Sequence, residues 1–412
     1  MIPRFSPTVT MPGALRFLLD VSLSRGDSAD VARFEQAFAR FQGCEHAVFV
    51  PSGRVALLLI LQRLAHPQGS EVIVPAFTHF SIPSVIRHAG LVPVFADIDP
   101  ETYELTPDTV SAVLTDRTRA LIPTHLFGRT CPMPDLLTLA GKRKIDVIED
   151  CAQALGARVG DRCAGNGGLA SYFTFGITKN FTTYSGGMIT CSDPGMAAAL
   201  RESLGAFHPA SRPRLLKEGL VAAAMTVAAW RPAFSLALAP LVRAAGPDRA
   251  DIVHRLFDEP PRNFSAASVP ALQWRPIAAQ ALAGMRQLGA LDDRNQRRRN
   301  AGCALLDALA GRGCAGLPAA AGPGGDHVFM SFAIRRENRL SFIHRLRKAG
   351  IDSSPGYVTN CRRFAPAGKK GGPECPVAEH VANRIVHLPL YPALSRADIG
   401  RIAEGVSRAD RA

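Results

Sequence analysis

Ile145-Asp-Val-Ile-Glu-Asp150-Cys-Ala-Gln153-Ala and, a short way on, Tyr172-Phe-Thr-Phe175-Gly-Ile-Thr-Lys179 are the stretches from which the rest of this chain can be read. The first is an apolar run closing on two acids and a small polar cluster. That is the pattern of a buried strand whose carboxyl end meets a ligand. The second is an aromatic strand that runs into a lysine, and Gly186-Gly187 then opens a further apolar strand. A lysine is ordinarily a solvated surface residue. Between an acid-ended strand and a glycine pair it has a narrower task. An amine that binds an aldehyde needs a carboxylate to tune the aldehyde's ring, and glycines that let the backbone approach closely. The arrangement reads as a pyridoxal 5'-phosphate site in which Lys179 forms the Schiff base.

Outward from these stretches, residues 45–193 alternate short apolar strands with helical patterns, which predicts an α/β fold with a mostly parallel sheet covered by helices. Strands are expected at His46–Val50, Glu71–Pro75, Val92–Ala96, Ala120–Thr124, Asp146–Glu149, Tyr172–Phe175 and Met188–Cys191. Helices are expected at Arg54–Leu64, Ser81–Ala89 and Asp135–Lys142, with turns at Pro51-Ser-Gly53 and Asp97-Ile-Asp-Pro100. A long helix from Asp293 leads into a smaller α/β region with Phe329–Arg335, a helical Leu340–Ala349 and a Gly/Pro/Lys-rich surface loop at Pro366–Pro376. The division expected is a large domain over 1–285 and a small one over 286–412.

Residues 208–262 interrupt this plan. Gly219–Trp230 is uncharged and alanine-rich, Arg231-Pro232 breaks it, and Ala233–Val242 follows. Neither half approaches the roughly 20 apolar residues a spanning helix needs. Two readings stand: helices packed on the body or at a subunit interface, or a surface-seeking element over 219–242 that makes peripheral contact with a membrane or covers the site.

The 412 residues exceed one typical core. The formal charge is +13, which favours acidic partners. Basic residues are scattered apart from Arg294 and Arg297-Arg298-Arg299, and no arginine–aromatic interleaving of the base-stacking kind is present. A phosphorylated small molecule is therefore expected rather than nucleic acid. Nine cysteines without a CxxC pair argue against both a disulfide framework and a metal site. They read as free thiols of a cytoplasmic protein. Met1-Ile-Pro-Arg-Phe-Ser-Pro lacks the basic flank and apolar core of a signal peptide.

Each candidate residue has a chemical reason. Pyridoxal phosphate draws electrons best when its ring nitrogen is protonated, and Asp150 is placed to keep it so. Glu149 alternates to the other face of the strand. Imine formation needs a neutral amine, which burial near other cations favours. The cofactor phosphate needs donors at a helix start, and Ser52-Gly53-Arg54 closes a strand and opens a helix. The hydroxyl of Thr174 adds another donor. In Pro75-Ala-Phe77-Thr-His79-Phe80, the rings of Phe77, His79 and Phe80 are all candidates to stack on the cofactor.

Together these motifs resemble the DegT/DnrJ/StrS sugar aminotransferases, within the fold type I pyridoxal phosphate enzymes. The resemblance runs through Pro51-Ser-Gly-Arg-Val-Ala-Leu57, Val72-Ile-Val-Pro-Ala-Phe-Thr78, His125-Leu-Phe-Gly128, the acid-centred and lysine-centred segments, Gly186-Gly-Met and Leu388-Pro-Leu-Tyr391. It implies that Lys179 is the Schiff-base lysine, Asp150 the partner of the pyridine nitrogen and Gln153 a side chain close to the ring's phenolic oxygen. Thr174 takes the phosphate-binding serine position, Ser52 and Gly53 form the first phosphate turn, and His79 lies over the ring. The implied assembly is a homodimer with both sites at the interface. Two positions depart from the family pattern. Arg54 stands where threonine is commonest, and Gln273 stands where an asparagine is offered to the neighbouring subunit's cofactor phosphate.

The activity so implied is amino transfer from an amino acid, glutamate by resemblance, to a keto-sugar that is phosphorylated or nucleotide-linked. Two rivals keep the fold. One is a sugar dehydratase, against which Lys179 argues because histidine replaces that lysine in the family's dehydratases. The other is a non-catalytic regulatory protein.

Overall fold

The computed structural model describes residues 1–244, 270–319, 325–365 and 373–411. The strands of this region are β1 (His46–Val50), β2 (Glu71–Pro75), β3 (Phe77–Thr78), β4 (Val92–Ala96), β5 (Thr118–Leu121), β6 (Asp146–Asp150), the ribbon β7 (Arg158–Val159) and β8 (Arg162–Cys163), β9 (Ala170–Thr174) and β10 (Gly187–Cys191), and all but the two-residue β3, β7 and β8 overlap the expected apolar runs. Seven of them form one sheet in the order β1-β10-β9-β6-β5-β2-β4. Pairing is parallel from β9 through β6, β5 and β2 to β4, while β10 runs antiparallel to both β9 and β1. This reversed strand positions the site. The carboxyl ends of β1, β2, β6 and β9 reach one edge of the sheet, and β10 starts there with Gly187.

Side chains alternate between two packed faces, as strand geometry requires. Val48, Val72, Ile148 and Tyr172 pack on α3 (Gly53–Leu64), α4 (Ser81–His88) and α7 (Pro194–Gly205). Phe49, Phe173 and Met188 face α2 (Ser28–Gln42), and Ile73, Leu121 and Val147 face α6 (Met133–Arg143). β5 ends at Leu121, short of the expected Thr124. Pro123 lacks an N–H and cannot continue a central ladder, so contact resumes only as an isolated bridge between Thr124 and Asp150.

A second core holds Leu305, Leu309, Phe332, Phe342, Ile402 and Val406, together with Ile2 from the chain start. Ile2 bridges to Ile351, so the N-terminus is stitched to the C-terminal body rather than to the large one. The helix Leu291–Ala310 belongs to both: Leu291 packs in the large body and Leu305 and Leu309 in the small. Val358, Cys361 and Val381 then pack back in the large core. There Thr359–Asn360 pairs antiparallel with β3.

The stretch read as an interruption begins as α8 (Arg212–Ala229), stops at extended Trp230, and continues at 231–244 after a 73° bend. No single described helix is long and apolar enough to cross a membrane. The remainder of that stretch, 245–262, and most of the expected loop at 366–376 lie outside the described residues.

Candidate active site

A cavity of about 920 Å³ opens at the sheet edge where these strand ends gather, with Asp150, Gln153, Lys179, Thr174, Ser52, Gly53, Arg54 and His79 on its wall. Asp150 ends β6 and is 3% exposed. Its Oδ1 accepts the Ala152 N–H at 2.9 Å. Burial pushes the carboxyl above its ordinary pKa, and the Ala152 N–H, the Tyr172 hydroxyl and the charge of Lys179 restrain that rise. A carboxyl so placed gains from a cationic partner, since a nearby opposite charge favours the ionised form.

Glu149, one residue earlier, faces the other way and is committed to structure. Its two oxygens accept N–H groups from Gly165, Gly167 and Gly168 at 2.7–2.9 Å, and His125 Nε2 lies 2.9 Å away. The Cys131 N–H donates to His125 Nδ1, so Nε2 carries the hydrogen and donates to Glu149. Burial works against the charge of Glu149, but the His125 bond and the glycine N–H groups outweigh it and hold the pKa below the ordinary range. His125, Glu149 and Cys151 bring a nitrogen, an oxygen and a sulfur within 4.8 Å, the spacing of a metal-ligand group. Both ring nitrogens of His125 and both oxygens of Glu149 are already taken, and burial pushes the Cys151 thiol well above its ordinary pKa. The His125–Glu149 pair is a strut beside Asp150.

Lys179 lies on the connection between β9 and β10, half-buried, with its backbone clamped on both sides. Thr8 Oγ1 donates to its carbonyl at 2.5 Å. The next residue, Asn180, donates to the Leu155 carbonyl at 3.0 Å and to Asn295 Oδ1 at 3.1 Å. Beneath it Phe175 and Phe181 pack edge to face with centroids 4.7 Å apart. Gln153 is oriented by the Phe127 N–H, which donates to its Oε1 at 3.1 Å. Its NH₂ is then the end available to an acceptor in the cavity.

The phosphate turn is built by close approach. Ser52 caps α3, its hydroxyl accepting the Val55 N–H at 3.3 Å, so the first N–H groups of that helix face the cavity. A Cβ on Gly53 would stand 2.9 Å from Thr174 Cγ2, and one on Gly187 would stand 2.4 Å from the Phe173 carbonyl oxygen. These glycines let β1, β9 and β10 converge on one point. Of the three candidate rings, Phe77 is fully buried against Tyr103 and Phe127 and is core. His79 and Phe80 line the cavity, with the His79 Nδ1 held 2.7 Å from Ser81 Oγ. Gln273 is exposed and lies outside the cavity wall of its own chain.

Several lining residues escaped the sequence reading. Tyr357 and Phe364 arrive from the C-terminal region on the loop pinned by the Thr359–Asn360 pairing with β3. Arg214 arrives from the first turn of α8 and stacks on Trp274, its guanidinium carbon 4.4 Å from the ring centroid. Glu218 accepts from its Nε at 3.0 Å and from Ser185 Oγ at 2.5 Å, tying α8 to the loop after Lys179. The bracketing of the lysine loop by Gly186-Gly187 was legible in sequence. A stacked arginine from an alanine-rich helix carried no local signal.

Comparison with known proteins decides the family. The sequence profile of the DegT/DnrJ/EryC1/StrS aminotransferase family matches residues 20–219 and 261–407. The chain belongs to that family. It is similar to the UDP-N-acetyl-3-dehydro-alpha-D-glucosamine 3-aminotransferase of Acidithiobacillus ferrooxidans, at 30% identity over 97% of this chain and 93% of that one. It is 31% identical to the dTDP-3-amino-3,4,6-trideoxy-alpha-D-glucose transaminase of Micromonospora megalomicea, over 93% of this chain and 90% of that one. Among solved structures, DesV of S. venezuelae, determined in complex with a ketimine intermediate, shares 26% identity and a TM-score of 0.74 over 100% of this chain and 99% of that one. This member of the family is thus a pyridoxal phosphate-dependent sugar aminotransferase of fold type I.

The residues fit that cofactor. The buried hydroxyls of Thr78 and Thr124, both on the cavity wall, have no hydrogen-bond partner among the described residues. An acid for the ring nitrogen, an amide NH₂ for the ring oxygen, a capped helix start for the phosphate and an amine for the aldehyde all border one space.

Proposed function

We propose that the donor is an amino acid, glutamate, and that the acceptor is a keto-sugar carried on a nucleoside diphosphate. The observation that carries this reading is that Lys179, from the β9–β10 connection, and Asp150, from the end of β6, line one cavity with Gln153 and the Ser52 turn. Bound pyridoxal phosphate supplies an electron sink that acidifies the hydrogen on the donor's α-carbon.

The protein's own groups do the rest. Asp150 holds a proton at the ring nitrogen, stabilised there because the pairing offsets its buried charge. Gln153 presents its NH₂ to the ring oxygen. The first N–H groups of α3 and the hydroxyls of Ser52 and Thr174 hold the phosphate, with Arg54 beside them. Lys179 would hold the aldehyde, and its free amine would move the proton at the donor's α-carbon. Tyr357 and Phe364 keep water from that amine. Arg214, held on Trp274, supplies positive charge for an anionic handle, as does the +13 balance of the chain.

Assembly, compartment and a membrane contact also belong to this reading. The functional unit is a homodimer in which Gln273, turned away from its own cavity, serves the partner's phosphate site. The enzyme resides in the cytoplasm, in keeping with nine cysteines that form no disulfide. Residues 219–242 make a peripheral membrane contact. The amine-retaining Lys179 disfavours dehydration.

The test is a two-stage assay on the holoenzyme. Glutamate alone bleaches the cofactor's visible band with release of 2-oxoglutarate. Adding a UDP- or dTDP-linked 3-keto-sugar restores the band and yields the amino-sugar. Restoration by no keto-sugar, nucleotide-linked or otherwise, would remove the sugar from the account.

A further inference from the structure

Eleven large apolar side chains stand exposed among the described residues, and eight of them lie on α1 (Met11–Ser22) and its end, α8 and its end, and the limb 231–244. Each helix presents them on one side. Leu15, Leu19 and Leu23 recur every four residues on α1, opposite buried Ala14, Phe17 and Val21. On α8, exposed Leu220, Ala224 and Val227 lie opposite Leu215, Ala222 and Met225, with Trp230 exposed at the end. On the limb, Leu236 and Leu241 are 81% and 58% exposed, while Phe234 and Val242 turn inward.

These helices form one surface. A Cβ on Gly219 would stand 2.7 Å from Leu18 Cδ2, so α1 and α8 are in close contact. Thr226 Oγ1 donates to the Val9 carbonyl at 3.2 Å. The limb is fixed to the body by the ion pair of Arg231 with Asp398 at 2.5 Å and by the N-terminal amine on Ser235 Oγ at 2.9 Å.

The charge is one-sided. Over 11–25 and 212–244 the acids are Asp20 and Glu218 alone, and both turn inward. Asp20 is buried and paired with Arg286 at 2.7 Å, while Glu218 holds Arg214 and Ser185. Outward stand Arg212, Lys217 and Arg243, together with Arg16 and Arg25, which reach back to Asp20 at 3.4 and 3.9 Å and share its single charge with Arg286. A second copy meeting this face across a two-fold axis would bring like charges together. An anionic lipid surface complements it. Apolar side chains, a tryptophan at a helix end and arginines without exposed acids are what a helix lying in a bilayer interface offers.

We propose that α1, α8 and the limb 231–244 form a docking surface for an anionic lipid bilayer, on which the enzyme lies without spanning it. The proposal names the lipid class for the membrane contact placed on 219–242 and does not rest on the chemistry of the cavity. It is tested by co-sedimentation of the holoenzyme with vesicles of phosphatidylcholine alone or with added phosphatidylglycerol. Expected is binding to the anionic vesicles only, weakened at least tenfold by high salt. The double variant Leu236→Glu, Leu241→Glu should lose that binding at least tenfold and retain amino transfer. A failed transfer assay would leave this readout intact, because bound protein is measured directly. Equal recovery with and without anionic vesicles would overturn the proposal. So would unchanged binding by the double variant, or its conversion from dimer to monomer, which would assign the face to a second copy.

Discussion

Lys179 Nζ lies 5.5 Å from the centroid of the Tyr357 ring, joining the lysine loop of the large body to a loop of the C-terminal region. Tyr357 also meets His79 edge-on with centroids 6.0 Å apart. The ring therefore covers the amine and abuts the side chain expected over the cofactor. Tyr357→Phe should keep most of the transfer rate. Tyr357→Ala should lower kcat about tenfold by admitting water and loosening the amine's placement. Steady-state kinetics on both variants check this, and equal loss would shift the role to the hydroxyl.

Asp150 gives a pH-dependent signature. In the cofactor-free protein its pKa is raised by burial, so the native state holds its proton to higher pH than the unfolded chain. Stability from this group is fully present at low pH and falls as pH rises through the window up to the raised value. Asp150→Asn should therefore leave the cofactor-free protein as stable or more stable at neutral pH. The same change should reduce transfer by a factor on the order of 100 or more, since the ring nitrogen loses its acid. Thermal melts from pH 4 to 8, with and without cofactor, separate the two effects.

Glu149 behaves oppositely. Its pKa is depressed, so its contribution is present at neutral pH and is lost as pH falls through the folded value. Glu149→Gln sets an NH₂ against glycine N–H donors and should cost about 3 kcal/mol. Denaturant unfolding at pH 7 measures it. Cofactor binding should fail only as far as the fold does.

Much of this was readable from local pattern. A strand alternates its faces, so the opposite roles of Asp150 and Glu149 follow from adjacency alone. Ser52 before an apolar helix, and glycines after an aromatic strand, announce a turn and a close approach. What stayed hidden depends on pairing between distant segments. Tyr357 reaches the cavity because Thr359–Asn360 pairs with Phe77–Thr78. Two-residue strands of that kind leave no periodic trace. His125 gives no hint of Glu149 until β5 and β6 lie side by side. Arg214 sits in a helix whose composition announces only apolar packing.

Gln273 supplies a test of assembly. If it serves the partner's phosphate, dimers mixing Lys179→Ala with Gln273→Ala subunits contain one intact site and one doubly impaired site. Random mixing of the two variants should then regain activity in about a quarter of all sites. Activity no greater than the average of the two separate variants would place Gln273 outside the partner's site.

The central claim is that Lys179 holds the cofactor's aldehyde and Asp150 its ring nitrogen. Borohydride reduction of the holoenzyme, followed by peptide mass analysis, tests the first half directly. The account predicts a reduced pyridoxyl phosphate adduct on the peptide carrying Lys179 and none in Lys179→Ala. An adduct on another lysine, or an undiminished visible band in that variant, would contradict it.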